Sequence, residues 1–289
     1  MTDSAQEFPT YVDHFNKPRP PVFYKFFPVE PWLPELFAGR SLLFSSRTTF
    51  NDPFDCRPGF RLRGNKEAIA YFQSKLRLLK LSPAQRLLRA VEGVRTVNAD
   101  PSVISDHLQS LLDNVGVLCL AENWDEPLMW SHYAKSHQGI TVGFRSDVEI
   151  FQLAQPVIYS DVPPTVFIPV EETPQLFFDV FQNKDSRWQY ENEWRIVKPP
   201  LNAEQRDQQY RELVCHTTVA EARSLANQHG PAIYPFSKEA IASVTLGMKI
   251  RPEDQAAVVK MVREANLDIP IYKVAPPFNE YLLKRTLVK

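Results

Sequence analysis

Residues 188–197 read WQYENEWRIV, and the fold turns on how that stretch is built. Taken as a strand, its successive side chains point to opposite faces. The even positions carry Trp188, Tyr190, Trp194 and Ile196, an apolar face interrupted only by Asn192. The odd positions carry Gln189, Glu191, Glu193 and Arg195, which puts two carboxylates about 7 Å apart on one face with a guanidinium beside them. Over a cleft, such a pair can stabilise a developing cation or activate a hydroxyl. On a solvated strand the same pattern is local charge pairing.

Working outward, VLCLA (117–121) reads as a buried strand, PLMWSHYAKS (127–136) as a short helix opened by Pro127, and GITVGF (139–144) as a further strand. Nearer the start, VFYKFF (22–27) and SLLFSS (41–46) are β-prone runs, with a short helix closed by Gly39 between them and a turn cluster, NDPFD (51–55), after them. Residues 66–113 read as three helices. The first carries Ile69, Phe72, Leu76 and Leu79 at helical spacing, and the second opens with Ser82, Pro83 and Gln85 as a capping box. Asp100 and Pro101 open the third, with Ile104, Leu108 and Leu111 on one face. Further on, Thr173 and Pro174 begin a helix through Phe181, and 203–229 is helical with a break near Thr217. A last block alternates strand AIYPF, short helix KEAI, strand SVTLG, helix Pro252–Ala265, strand IPIYKV and the segment YLLKRTLV. This irregular interleaving predicts an α+β fold, an irregular mixed sheet flanked by helices. The expected organisation is a loose arm over 1–20 and a single domain over 21–289, with helical insertions at about 66–113 and 203–229.

The bulk composition agrees with a globular chain: 289 residues, 44% hydrophobic and 23% charged, with a net charge of −1 that argues against a whole-protein nucleic-acid footprint. No run approaches the roughly 18 apolar residues of a membrane span, and MTDSAQEFPTYVDHF lacks the features of a signal peptide. The expectation is a cytoplasmic protein with no membrane partner, delivery to another cell as an effector being left open. Cys56, Cys119 and Cys215 lie far apart and read as free thiols, Cys119 as a small core residue. His132 and His137 are five apart, the wrong spacing for two metal ligands on one helix face, and no metal is assigned. GFRLRGNK (59–66) misses the phosphate-loop pattern. Nine Lys/Arg against Glu67 and Glu92 between residues 61 and 95 form a solvated face, or a site for RNA or an acidic partner. Trp124, Trp130, Trp188 and Trp194 either fill the core or wall a shared pocket for a stacked ring. In the NDPFD turn and the first strand, Lys25 could meet a phosphate and Asp52 or Asp55 a ribose hydroxyl.

YKFF, then a strand leading to FNDPFD, then LCLAENWDEPLMWSHYAKSHQGITVGF, then K-x-x-x-W-x-Y-E-x-E-W-R from Lys184 to Arg195, resembles in this order a bacterial domain-of-unknown-function family, number twenty-nine seventy-one, over about residues 22–250. The layout is more distantly similar to the ADP-ribosyltransferase-like fold. That resemblance implies a split sheet, NAD as substrate, and ADP-ribosyl transfer to a protein or nucleic-acid acceptor, or NAD glycohydrolysis, in a toxin, effector or phage-defence setting. It implies Glu193 as the catalytic carboxylate that meets the ribose 2′-hydroxyl and Glu191 as the one that orients the acceptor. Tyr24 and Lys25 stand where the fold has an early His or Arg, and WSHY (130–133) or Ser45-Ser46 where it has a Ser-Thr-Ser strand. The implied NAD-binding set is Tyr24, Lys25, Asn51, Asp52, Trp130, Ser131, His132, Tyr133 and Arg195. Two alternatives stay open: a metal-dependent nuclease using Asp52, Asp55, Glu191 and Glu193, and a non-enzymatic binding module whose carboxylates and Arg195 form a structural network.

Overall fold

The aromatic run near the start forms strand β1 (Val22–Phe27), followed by helix α1 (Leu33–Phe37) and β2 (Ser41–Ser46). These positions come from a computed structural model that describes residues 17–169, 179–215, 218–275, 279 and 281–288. After β3 (Gly59–Leu62) come the three expected helices, α2 (Asn65–Lys75), α3 (Pro83–Ala99) and α4 (Ser102–Leu112). The Ser82–Gln85 capping box is complete, and the Asp100 carboxylate accepts from the Ser102 N–H at 3.0 Å. The helix faces differ from the sequence pattern. Ala68 is the buried residue of α2 and Leu79 is exposed, because the helix stops at Lys75 and a 3-10 turn (Leu76–Leu78) rotates the leucines outward. In α4, Leu112 turns inward and Leu111 does not.

The central block follows as β4 (Gly116–Ala121), α5 (Pro127–Tyr133) and β5 (Ile140–Arg145). Short strands β6 (Gln155–Pro156), β7 (Ile158–Ser160), β8 (Thr165–Ile168) and β9 (Asn183–Asp185) lead to β10 (Glu193–Lys198). The expected helix from Thr173 falls largely on residues 170–178, outside the described residues. The rest is α6 (Ala203–Leu213), α7 (Val219–Ala226), β11 (Ala232–Pro235), β12 (Ile241–Leu246), α8 (Pro252–Glu264), β13 (Ile271–Ala275) and β14 (Lys284–Leu287). The break between α6 and α7 spans the expected position, although Thr217 itself is outside the described residues.

Among the described residues, ten strands join in one mixed, largely antiparallel sheet whose main path runs β11-β2-β4-β1-β5-β12-β13-β14, with β10 on β4 and β6 on β10. Only β12 and β13 pair in parallel within it. One face carries the main core, in which Phe23, Leu118, Val142, Phe144 and Trp194 pack with Val258 and Val262 of α8. A smaller cluster on another face joins Phe26, Ala121, Met129, Trp130 and Leu283. The structure is thus α+β with helices flanking a mixed sheet, as the pattern predicted.

The arm is tied down earlier than expected. Arg19 donates to the Phe151 and Ala154 carbonyls at 3.0 and 3.1 Å and lies over the Trp194 ring, and Lys17 pairs with Glu122 at 2.6 Å. Residues 17–20 therefore belong to the folded body.

β4 is the strand that positions the site. One of its edges pairs with β10 along its whole length, from Glu193↔Ala121 to Lys198↔Gly116. Its other edge is shared: β2 pairs at Val117 and Gly116, and β1 pairs at Ala121. Between these points β1 and β2 part, and the Lys25 ammonium donates to the Cys119 carbonyl at 3.0 Å, in place of the N–H a continuous ladder would supply. The sheet is forked there. At the base of the fork Gly116 lies against Gly230, whose carbonyl a Cβ would overlap. Gly116→Ala is expected to lower stability by about 1–3 kcal/mol, seen as a lower urea midpoint at unchanged slope.

Candidate active site

The fork opens into a cleft of about 440 Å³, within the range of small-molecule sites. Tyr24 and Lys25 of β1, Asn51 and Asp55 of the turn cluster, His132 and Tyr133 of α5, and Cys119 of β4 contribute to its walls. Its floor holds Lys184, Glu191 and Glu193. Cys119 is half-buried: it packs against a hydrophobic cluster with Val117 and Phe181, as its apolar neighbours suggested, and also faces this space.

The two glutamates reach the floor by a route different from one continuous strand. The Asp185 carboxylate accepts from the Arg187 N–H at 2.9 Å and starts a 3-10 turn, Ser186–Glu191. Asn192 closes it in the left-handed region, φ 42°, a conformation asparagine tolerates, and β10 begins only at Glu193. Both carboxylates nevertheless converge, because each bonds the Lys184 ammonium: Glu193 Oε2 at 2.8 Å and Glu191 through a close contact.

Arg195 lies behind them with no solvent exposure. Its Nε and Nη2 donate to Glu193 at 2.7 and 2.9 Å, and its Nη2 and Nη1 donate to Asp55 at 2.6 and 3.0 Å. Nη1 also meets the Phe181 carbonyl at 2.9 Å and Cys56 Sγ at 3.1 Å. Burial alone would raise the Glu193 pKa, but Arg195 and Lys184 outweigh it and hold that carboxyl well below the usual range. Glu191 goes the other way: burial pushes its pKa up, and the Glu193 charge adds to this against the pull of Lys184. Its Oε1 accepts from the Tyr133 hydroxyl at 2.8 Å. Three carboxylates, Asp55, Glu191 and Glu193, share the two cations Lys184 and Arg195 here. Environments that push two neighbouring carboxyls apart in this way mark acid–base pairs. Across the fork, burial lowers the Lys25 pKa.

Not every expected ligand residue reaches the cleft. Trp130 is fully buried, its indole N–H donating to the Trp124 carbonyl at 2.6 Å and its ring set edge-on to Phe26, so it supports α5 and does not wall the pocket. Ser131 is exposed on the outward side of that helix. Asp52 is outside the cleft lining, and one of its carboxylate oxygens accepts from the Phe54 N–H at 2.9 Å, capping the turn. Arg195 lies beneath the floor and touches protein groups alone. The four tryptophans share no pocket: Trp194 packs on the core face with Phe23, whereas Trp188 sits by His132 and over Lys184. Lys184 and Asp55 are the members whose partners went unread. Lys184 opens the K-x-x-x-W-x-Y-E-x-E-W-R motif, which is the signal that could have found it. Asp55 meets Arg195 across 140 positions, with no local signal.

With this geometry in place, the comparisons narrow the resemblance. Residues 129–196 match the family model described as "Protein of unknown function (DUF2971)". No curated protein and no solved structure matches the chain. The DUF2971 match is shorter than the stretch 22–250 over which the motifs run. It holds Tyr133, Lys184, Glu191, Glu193 and Arg195, the larger part of the cluster, and leaves Lys25, Asn51 and Asp55 outside.

Proposed function

We propose that the cleft takes NAD as a substrate and breaks its nicotinamide–ribose bond, passing the ADP-ribosyl group to water or to a protein or nucleic-acid acceptor. The observation that carries this reading is the carboxylate pair at the cleft floor, Glu191 and Glu193 converging on Lys184, with burial raising the Glu191 pKa and Arg195 and Lys184 lowering that of Glu193. As the bond breaks, its electron pair leaves with nicotinamide and the ribose C1′ becomes cationic. An acceptor oxygen then closes on C1′, and its proton passes to Glu191. Negative charge already held in place at the floor favours the cation without reorganisation at the moment of reaction.

The polar groups around the cleft suit the rest of such a substrate. Lys25 offers a cation to a phosphate, and Asn51, Tyr133 and Glu191 offer partners to ribose hydroxyls. Glu193 accepts three bonds from Arg195 and Lys184, whereas Glu191 accepts one from Lys184 and one from the exchangeable Tyr133 hydroxyl, so contact with a ribose hydroxyl falls to Glu191 in this reading. Glu193 then positions Lys184 and Arg195.

One observation favours a second reading, a binding module. Asp55, Glu193, Lys184 and Arg195 satisfy one another, as a purely structural network would. A fluorogenic NAD analogue, with and without bacterial lysate as a source of acceptor, separates the two. Turnover by the purified chain is the expected result. Saturable binding in calorimetry without turnover would favour the module, and neither in a folded sample would overturn the NAD reading.

A further inference from the structure

Far from the fork, α2 and α3 pack together as a helical hairpin whose tip is residues 76–82. The tip and the first turns of α3 carry outward leucines: Leu78 is 91% exposed and Leu88 70%, and Leu79 and Leu87 are about half exposed. Between Glu67 and Glu92 the chain has no acidic residue, and Lys75, Arg77, Lys80, Arg86 and Arg89 are interleaved with these leucines in the run KLRLLKLSPAQRLLR. Four exposed leucines on one hairpin are a cost in water that a folded chain normally avoids.

We propose that this tip docks on an anionic lipid bilayer, the leucines entering the acyl boundary and the basic side chains meeting lipid phosphates. Two features choose this occupant over others. A protein partner would need a matching pocket for each exposed leucine, whereas a fluid interface conforms to any of them. Charge selects the lipid: five cations without an acid among them match a negative surface, each adding to attraction near an anionic leaflet. A nucleic acid would use the cations but has no place for leucine, and single-strand binders present aromatic rings instead. No described helix is long and apolar enough to cross a membrane, so the contact is one of lying on the surface.

The test is co-sedimentation of the full chain with sucrose-loaded vesicles of phosphatidylcholine alone, or with about one-third phosphatidylserine. Binding is expected to the anionic vesicles only, and to weaken as salt rises. Replacing Arg77, Lys80, Arg86 and Arg89 together by Gln is expected to weaken it by about three orders of magnitude, and Leu78→Ser with Leu88→Ser by about tenfold. All six side chains lie at the surface or half-buried, so thermal melting should show both variants folded. No pelleting of the folded protein with anionic vesicles would overturn the proposal, as would pelleting that survives both sets of substitutions. Retention on a homopolymeric RNA without vesicle binding would overturn it in favour of a nucleic acid.

Discussion

Arg195→Met is expected to remove about 3–5 kcal/mol of folding stability, a large part of what a domain of this kind holds. The guanidinium joins Asp55, from the turn after β2, to Glu193 at the start of β10 with two hydrogen bonds to each carboxylate, where Lys184 bridges the same pair at 3.8 and 2.8 Å. All three side chains are buried. Methionine fills most of the volume but leaves two carboxylates out of water with Lys184 as their remaining cation, the situation in which breaking a buried pair costs most. The pH dependence has a definite sign. Glu193 titrates lower in the folded chain than unfolded, so its contribution is complete above the ordinary glutamate value and is lost as pH falls toward the depressed one. Without Arg195 that depression shrinks. Urea melts should therefore show the gap between wild type and Arg195→Met narrowing from about pH 4 downward. A loss below about 1 kcal/mol at neutral pH would mean that the network is dispensable to the fold.

How far the sequence discloses this arrangement depends on the range of the interactions involved. The capping box at Ser82, the proline-opened α5 and the β-prone runs of β1, β2, β4 and β5 are local, and propensity with periodicity reads them. Alternation also put Glu193 and Arg195 on one face, which is where they lie. The same alternation failed one residue earlier, because Asn192 in a left-handed turn ends the strand period and periodicity does not register a single φ. The fork of β4 is not readable at all, since it depends on where β1 and β2 diverge, a matter of pairing across about 70–100 positions. Trp130 illustrates a different limit. It shares a helical face with Tyr133, but a seven-residue helix packed on the sheet buries one of the two and leaves the other at the cleft. The carboxylate pair was visible as types and spacing. Their division, one pKa lowered and the other raised, comes from burial together with Arg195 and Lys184, whose placement only the fold supplies.

Glu191→Gln is expected to lower NAD turnover by about 10²–10⁴-fold while leaving the melting temperature close to wild type. Tyr133 donates to Oε1 and Lys184 to Oε2, so the single amide oxygen can face Lys184 while the NH2 donates to the Tyr133 oxygen, and the floor keeps its packing and most of its bonds. What it loses is the ability to take the acceptor's proton. Glu193→Gln makes the contrast: it strips charge from a group that holds Lys184 and Arg195, and stability should fall together with activity. The pH profile adds a readout that a merely structural Glu191 would not move. Because burial raises this carboxyl's pKa, the base form accumulates as pH rises through the raised value, and kcat/KM should climb there and then level off. Lys184→Met removes the cation that opposes the rise, so the climb should move to higher pH in that variant. A folded Glu191→Gln protein that turns over NAD at the wild-type rate would remove Glu191 from the chemistry. The proton would then have to pass to another cleft group, and the two carboxylates would be left with the structural role that Arg195 and Lys184 already give Glu193.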